Sequence, residues 1–527
     1  MGSNKLLLRE IILKIVEFLK DDIATLYSCI LINREWCKIT IPILWSDTFR
    51  KYKPFNNNGQ SLEGKQIIST YINLLSEESR ISLKKHGIKS LTKQKTLFNY
   101  SEFLRHLDAY YLKVYVRSWF QFTTRDKKDI AKKNYYKSGQ FRVMLTVLLN
   151  HFLQQTPRLI SLKIASSDIT EAIITILQDN PQARSCLSNL KSLKQHKQYK
   201  DPISIVLFSQ LAKYAWNIEH LDVAINNKIS ELSTLIFLQR NLKRLSICNK
   251  GNTLSIEEFI INNKSTMEPW INGIAEPAIL HQATSITHLK LETVNFPLES
   301  LYHFENLIEL ELKFCGKRYN KKDLIHFTQA SLNHLEIFLF ESKYPIYLES
   351  FVGLIENSGE NLKRLTLHGC QIKDPKNAQR IITSLTNYSP NLIYYDGPIL
   401  EDNTFELEAM LNRCVRLRTL LLHPSITRCY SPIPSINFDP LFNVISHDKS
   451  QKLECLSIIH AWKISESALL DFFESHKKKN VGPIQFNYEK SCTVFHGIST
   501  ICSRYNDFGV GLDCKLIYCP RSYHQKS

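Results

Sequence analysis

Thirteen cysteines and 17 histidines carry most of the versatile chemistry available to this 527-residue chain, and their spacing limits what they can do. No two cysteines form a C-x-x-C pair, and the tail residues Cys502, Cys514 and Cys519 lack the paired spacing of a zinc site. An odd number of thiols behind an N-terminus without a secretory signal pattern reads as reduced, mostly buried small apolar residues. The histidines His151, His220, His288, His334 and His368 are scattered. Three of them, His220, His288 and His334, precede a leucine in the same short phrase, a spacing that packing beside a strand explains. Nucleophile elbows, Walker loops, dinucleotide-binding glycine patterns and H-E-x-x-H are absent. With 16 glycines in the whole chain, loops that cradle phosphate are not expected. The sequence therefore predicts a non-enzyme: no catalytic residue, no cofactor and no metal.

The formal net charge of +17 could serve nucleic acid, an acidic partner or solubility. Nucleic-acid modules concentrate base in one patch with aromatics between, whereas here Lys and Arg run along the whole length. The densest spots are residues 125–137 and 477–479. The latter follows a helix-like run, where cations suit the negative end of the helix dipole. At 43% hydrophobic and 22% charged residues the composition is that of a folded protein. No apolar run of membrane-spanning length is present, so no membrane partner is expected. A chain this long needs several domains or a repeat array.

The elements that organise the chain start at residues 6–45, LLLREIILKIVEFLKDDIATLYSCILINREWCKITIPILW. Leu8, Ile11, Ile12, Ile15, Val16 and Leu19 have amphipathic-helix spacing. Asp21 or Asp22 can cap a second helix carrying Ile23, Leu26, Tyr27 and Ile30. Asn33 precedes a third with Trp36 and Cys37, which Pro42 is expected to end. Three such helices bury too little to stand alone. The stretch resembles an F-box, the motif by which substrate receptors dock on the Skp-family adaptor of cullin–RING ubiquitin ligases. The matching residues are Leu7, Glu10-Ile11, the run from Ile15 to Leu19, Leu26, Cys29, Ile32-Asn33, Trp36 and Ile43-Leu44-Trp45. F-boxes usually open Leu-Pro, and Leu8 stands in place of that proline. The resemblance implies adaptor contacts from Leu7, Glu10, Ile11, Ile15, Leu19, Leu26 and Trp36.

Residues 50–150 read as a helical connector. Ile67, Ile68, Tyr71, Leu74 and Leu75 share one helix face, and Gly87 after two lysines is a stop. Phe103, Leu104, Leu107, Tyr111 and Val114 predict a helix with Ser101 as its cap, and a further apolar run follows from Phe141. A segment LLSEESRISLKKHGI placed after IPILW resembles the expanded set of fungal F-box proteins, in which irregular leucine-rich repeats follow.

From residue 151 a phrase L-x-x-L-x-L recurs about eleven times at a mean spacing of about 29 residues. Copies begin at Leu159, Ile218, Leu242, Ile286, Leu307, Leu332, Leu362, Leu417 and Leu453, with weaker ones at Leu190 and Leu392. NLKRL occurs twice, from Asn241 and from Asn361. Residues two apart on a strand face the same way, and helix-like stretches lie between copies. Strand–helix units that cannot bury their apolar sides singly must stack. The expected fold is thus α/β: a three-helix F-box (1–49), a helical connector (50–150), an irregular leucine-rich-repeat solenoid with parallel strands on its concave face (151–490), and a C-terminal cap and tail (491–527). IQFNY gives one more strand. The intervening strand positions Asp222, Ser246, Lys290, Glu311, Glu336, Thr366 and Ser457 are candidate target contacts. Cys248, Cys315 and Cys370 fit cysteine-type repeats and fit buried small residues equally well. Residues 249–282 read as a loop or insertion.

Taken with the resemblance, these features imply the substrate-recognition subunit of a Skp–cullin–F-box ligase, working in the cytoplasm or nucleus on a protein target that the sequence does not name. Two other readings stay open. One is a repeat scaffold with no ligase role; the other is a basic nucleic-acid-binding protein, which would show steeply salt-dependent binding.

Overall fold

The computed structural model describes residues 2–51, 62–88, 94–123, 139–164, 166–195, 204–225, 230–249, 275–294, 298–313, 332–341, 349–368, 375–424, 436–447, 453–459, 462–479, 484–489, 493–494 and 515–517. The expectations for Cys315, Cys370, the basic run at 125–137, most of the 249–282 segment and the tail cysteines fall outside them. The chain divides into two compact units, Met1–Arg244 with Cys248–Glu268, and Leu245–Ile247 with Pro269–Ser527. Both are α/β with parallel strands.

The first unit opens with helices α1 (Gly2–Phe18), α2 (Ile23–Ile32) and α3 (Arg34–Trp45). Asp22, rather than Asp21, caps α2 by accepting from Thr25 N at 3.1 Å. Asn33 caps α3 by accepting from the Glu35 and Trp36 amides. Pro42 does not end α3; the helix runs on to Trp45. The bond that proline forgoes is to the carbonyl of Lys38, an exposed residue where water can replace it. Helices α4 (Thr48–Lys51), α5 (Leu62–Leu74) and α6 (Glu77–Lys85) follow, and Gly87 ends α6 with φ at 82°.

Strand β1 (His106–Asp108) lies inside the stretch read as a connector helix. Leu104 and Leu107 belong to a strand phrase, not a helix face. Ser101 sits in a short 3-10 turn, Tyr100–Phe103, and does not cap the next helix. That helix, α7 (Ala109–Thr123), is capped by Asp108, whose Oδ1 accepts from Tyr110 N at 3.0 Å. The helix Gly139–Gln155 then leads to β2 (Ser161–Ile164), β3 (Ser192–Gln195) and β4 (His220–Ile225), paired in the order β1-β2-β3-β4. Leu107, Leu162, Leu193 and Leu221 are in register, each at most 2% exposed. Strand β5 (Arg244–Asn249) lies at the boundary between the units.

In the second unit, β6 (His288–Glu292), β7 (Glu309–Lys313), β8 (Ile337–Glu341), β9 (Arg364–His368), β10 (Tyr394–Ile399) and β11 (Thr419–Pro424) pair in chain order. After β12 (Ile436–Asn437) come β13 (Cys455–Ile458), β14 (Trp462–Ile464), β15 (Gln485–Glu489), β16 (Thr493–Val494) and β17 (Lys515–Ile517). Of these β13, β15 and β17 continue the main sheet, while β12, β14 and β16 form a separate three-stranded ribbon. The strand expected at IQFNY is β15. Leu289, Leu310, Phe338, Leu365, Tyr395, Leu420, Leu456 and Phe486 occupy one register column, none more than 1% exposed. Helices Glu349–Ser358, Pro375–Tyr388, Thr404–Arg413, Asp439–His447 and Glu466–Lys479 each pack on the next along one side.

The column corrects one phase. The copy read from Leu332 starts at Leu335, because Phe338 and Phe340, not Leu335 and Ile337, take the places of Leu310 and Leu312. Ile337 stands opposite Glu309 and Arg364 and is half-buried.

Two hydrogen-bond ladders lock the phrase in place. A carbonyl just before each strand accepts two successive amides of the following phrase: Thr287 from Ile308 and Glu309, Ile308 from Glu336 and Ile337, Glu336 from Lys363 and Arg364. The asparagines introducing the phrase donate one repeat back, Asn306 to Thr284 O (2.8 Å), Asn361 to Asn333 O (2.7 Å) and Asn391 to Glu360 O (3.0 Å). The recurring asparagine therefore satisfies a carbonyl that the turn between units would otherwise leave bare.

Candidate functional site

Two surfaces and one side-chain cluster stand out. In α1–α3, Ile12, Val16, Leu26, Ile39 and Leu44 form a buried cluster, with Leu19, Ile23, Ile30, Trp36, Ile43 and Trp45 packed against it. Leu26 is fully buried and Trp36 half-buried. Both were expected to meet an adaptor; here both hold the helices together, and Leu26 cannot be presented to a partner without opening the unit. Leu19, likewise expected outside, is half-buried on the same cluster. Leu7 lies in α1, and its side chain is outside the described residues. Glu10 is exposed, and Ile11 (48%), Ile15 (42%) and Phe18 (90%) are exposed apolar residues. At i, i+4 and i+7 they form a second apolar stripe, next to the stripe Ile12, Val16 and Leu19 that the unit consumes. On α2, Leu31 (85%) and Ile32 (56%) are also exposed. A helix as short as these exposes that much apolar surface at a cost.

The second surface is the strand face opposite the leucine column. In the second unit one row in register reads Lys290, Glu311, Leu339, Thr366, Asp396, Leu421, Ser457, Asn487. Lys290 and Glu311 pair directly, with Lys313 Nζ 3.8 Å from the same carboxylate oxygen. Burial would raise the Glu311 carboxyl, but the hydrogen bond and charge of Lys290, joined by Lys313, hold it below its ordinary range. Of the other expected contacts, Thr366 (8%) and Ser457 (2%) are buried by their neighbours, and Ser457 Oγ accepts from Asn487 Nδ2 at 3.0 Å. Glu336 is not a strand residue; it precedes β8 and pairs with Lys363 at 2.7 Å, because the phrase starts three residues later than expected. In the first unit, Asp222 is half-buried in register with Lys194; Ser246 on β5, in the Leu245–Ile247 stretch that belongs to the second unit, is half-buried. Glu219 is held below its ordinary range by hydrogen bonds from Lys191 and Lys243, at 2.8 and 3.2 Å.

The cluster is one that sequence reading missed. His368 at the end of β9, Asp396 on β10 and His423 on β11 bring one ligand atom each within 4.8 Å of one another. His368 Nε2 is 2.8 Å from Asp396 Oδ2, and the two imidazole rings meet edge to face at 5.6 Å. Burial disfavours the imidazolium of His368, but the Asp396 carboxylate, supported by Glu341, outweighs this and raises its pKa. Tyr394 Oη donates to the same Asp396 oxygen at 3.2 Å. The three residues lie about one repeat apart, so sequence proximity gives no hint. Their common position at or beside the end of the strand phrase becomes a signal once the copies are aligned.

Burial pushes the Cys186 and Cys414 thiols up to about 12, which leaves no thiolate at neutral pH. Among the described residues no disulfide is formed. A shallow groove of about 540 Å³ between helices Glu349–Ser358 and Pro375–Tyr388 is lined by Glu356, Arg380, Thr383 and Asn387 among others. Among the described residues no helix is long and apolar enough to cross a membrane.

No protein-family model and no curated protein matches this chain.

Proposed function

We propose that this protein is the target-binding subunit of a Skp–cullin–F-box ubiquitin ligase. The N-terminal helices dock on the adaptor, and the strand face of the repeat units engages a protein to be modified. The observation that carries the reading is the unused apolar stripe Ile11, Ile15 and Phe18 on α1, which the buried cluster of the three helices does not take up. The resemblance of residues 6–45 to an F-box assigns that stripe to a Skp-family adaptor and, through it, to cullin–RING. Parallel strand–helix units joined by asparagine and carbonyl ladders support the leucine-rich-repeat part of the reading. The strand face that carries Lys290 and Glu311 is then the target surface. Such a receptor performs no chemistry itself; it raises the effective concentration of target beside the conjugating enzyme. It would act in the cytoplasm or nucleus.

The experiment is co-purification of the full chain with a Skp-family adaptor, compared with Ile11→Asp/Ile15→Asp. Both side chains are exposed, so the melting temperature should stay within a degree or two. Loss of two apolar anchors should weaken adaptor binding at least roughly 100-fold. If the wild type does not bind, or the double variant binds as well, the proposal falls.

A further inference from the structure

We propose that His368, Asp396 and His423 form a binding site for a divalent transition metal of the zinc class. The inference does not depend on the adaptor reading. All three residues sit on neighbouring parallel strands, β9, β10 and β11, whose register is fixed by the column Leu365, Tyr395 and Leu420. The ligand positions are therefore set by the sheet and not by a loop.

Three features make the cluster more than an ion pair. The first is the donor set. Two imidazoles and one carboxylate are the combination that suits zinc or iron(II); calcium and magnesium sites are built from oxygens. The second is the state of the carboxylate. Asp396 is 3% exposed, and its Oδ2 accepts from the Tyr394 hydroxyl and lies 2.8 Å from His368 Nε2. Its other oxygen, Oδ1, is buried, and among the described residues no donor reaches it. A buried carboxylate oxygen without a donor is costly, and a cation satisfies it. The third is the orientation of His423. Its Nε2 lies 3.1 Å from the carbonyl oxygen of Leu367. A carbonyl only accepts, so that nitrogen carries a hydrogen, and the ligand atom of this ring would be Nδ1. A ring N–H donated to a backbone carbonyl is the outer-shell arrangement that fixes a metal-binding histidine.

The ligand atoms sit within 4.8 Å of one another; tetrahedral bonds of about 2.1 Å put ligand atoms about 3.4 Å apart, so metal uptake draws the side chains together by up to about 1.4 Å. His368 is 39% exposed at its side chain while Asp396 is buried. One side of the site therefore opens to solvent, leaving room for water or an outside ligand to complete the coordination. Glu341, in register with His368, adds negative charge nearby, and Lys313, in register with Glu341, offsets part of it.

The test uses the full-length protein, stripped with chelator and titrated with Co²⁺. The wild type should take up one equivalent at this site and show the visible bands of a nitrogen–oxygen site, without a thiolate charge-transfer band. His368→Ala alters the most exposed ligand and should leave the fold intact by circular dichroism. It should weaken Co²⁺ binding by more than the roughly 10–100-fold that loss of an outer-shell partner costs. His368→Cys should bind Co²⁺ and gain a thiolate charge-transfer band, since a sulfur would then stand in the ligand position. Zn²⁺ should raise the melting temperature of the wild type and not that of His368→Ala. The proposal is overturned if the wild type takes up no metal, if uptake is unchanged in His368→Ala, if the wild-type spectrum already shows thiolate ligation, or if His368→Cys adds no new band.

Discussion

His151 offers a measurement in which the structure fixes both sign and size. It lies on the helix Gly139–Gln155 at 8% exposure, with Nε2 2.8 Å from Ser101 Oγ. Burial lowers its pKa from 6.5 to about 4. Between these values the folded state binds less than one proton where the unfolded chain binds nearly one. Stability therefore rises with pH across this window, by up to about 1.4 kcal/mol per pH unit. The contribution is complete above the unfolded pKa and is lost as pH falls through the folded one. Integrating to pH 5 gives a loss of about 2 kcal/mol relative to pH 7.5, on the way to about 3 kcal/mol below pH 4. The assay is urea unfolding followed by tryptophan fluorescence at pH 7.5 and pH 5.0, on the wild type and on His151→Gln. Glutamine keeps a group able to bond Ser101 and removes the titration, so other acid-sensitive groups cancel in the difference. The wild type should lose about 2 kcal/mol more than the variant. Equal losses would show that His151 is protonated in the folded protein and that its buried, neutral state has been misread.

Two further measurements probe the sheet. Phe338→Ala should cost about 3–5 kcal/mol in chemical denaturation and Ile337→Ala under about 1 kcal/mol, because Phe338 is 1% exposed in the core column and Ile337 faces the other way, half-buried. The reverse ranking would restore the phrase phase that starts at Leu332. Gly397→Ala places a Cβ 2.6 Å from the ring of Tyr395, a residue with no exposure whose hydroxyl donates to Pro398 O at 3.0 Å. Since that ring has nowhere to go, the change should destabilise by about 1–3 kcal/mol, visible as a lower urea midpoint.

The leucine phrases were legible because a strand with one buried face must repeat apolar residues two apart, and stacked units must repeat the whole phrase. The asparagine before the phrase was visible as a pattern, and its donation to the preceding repeat supplies the cause. What was not legible follows from ambiguity of phase. LNHLEIFLF contains two overlapping sets of apolar residues with the same spacing, and only pairing with β7 and β9 selects Phe338 and Phe340. Leu104 and Leu107 are three apart, a spacing common to a helix face and to the phrase, so β1 was absorbed into a helix. The stripe on α1 was ambiguous in the same way: Ile11 and Ile15 are exposed as expected, while Leu19 is half-buried. Ile11, Ile12, Ile15, Val16 and Leu19 read as one broad face, yet a helix has room for two, and only the position of α3 decides which of them is covered. The His368, Asp396 and His423 cluster was hidden because its members meet across strands and not along the chain.

How the N-terminal helices join the sheet bears on which experiments can separate a receptor from a scaffold. Ser46, just after α3, accepts from both Arg105 N and His106 N at 2.9 Å. This is the same two-amide arrangement by which each later repeat accepts the next, as Arg105 O does for Ile160 and Ser161. The end of α3 thus serves as the repeat before β1. Trp45 adds to the junction, its ring 4.0 Å from that of Tyr100 and 5.5 Å from that of Tyr71. Deleting residues 1–45 would strip this aromatic contact from Tyr71 and Tyr100 and uncover the edge of the first unit whether or not the protein ever meets an adaptor. Instability of the truncated chain therefore cannot distinguish the two functions. Only a change confined to the exposed stripe can, because Ile11 and Ile15 have no part in the buried cluster, and whatever they lose when made charged is lost to a partner.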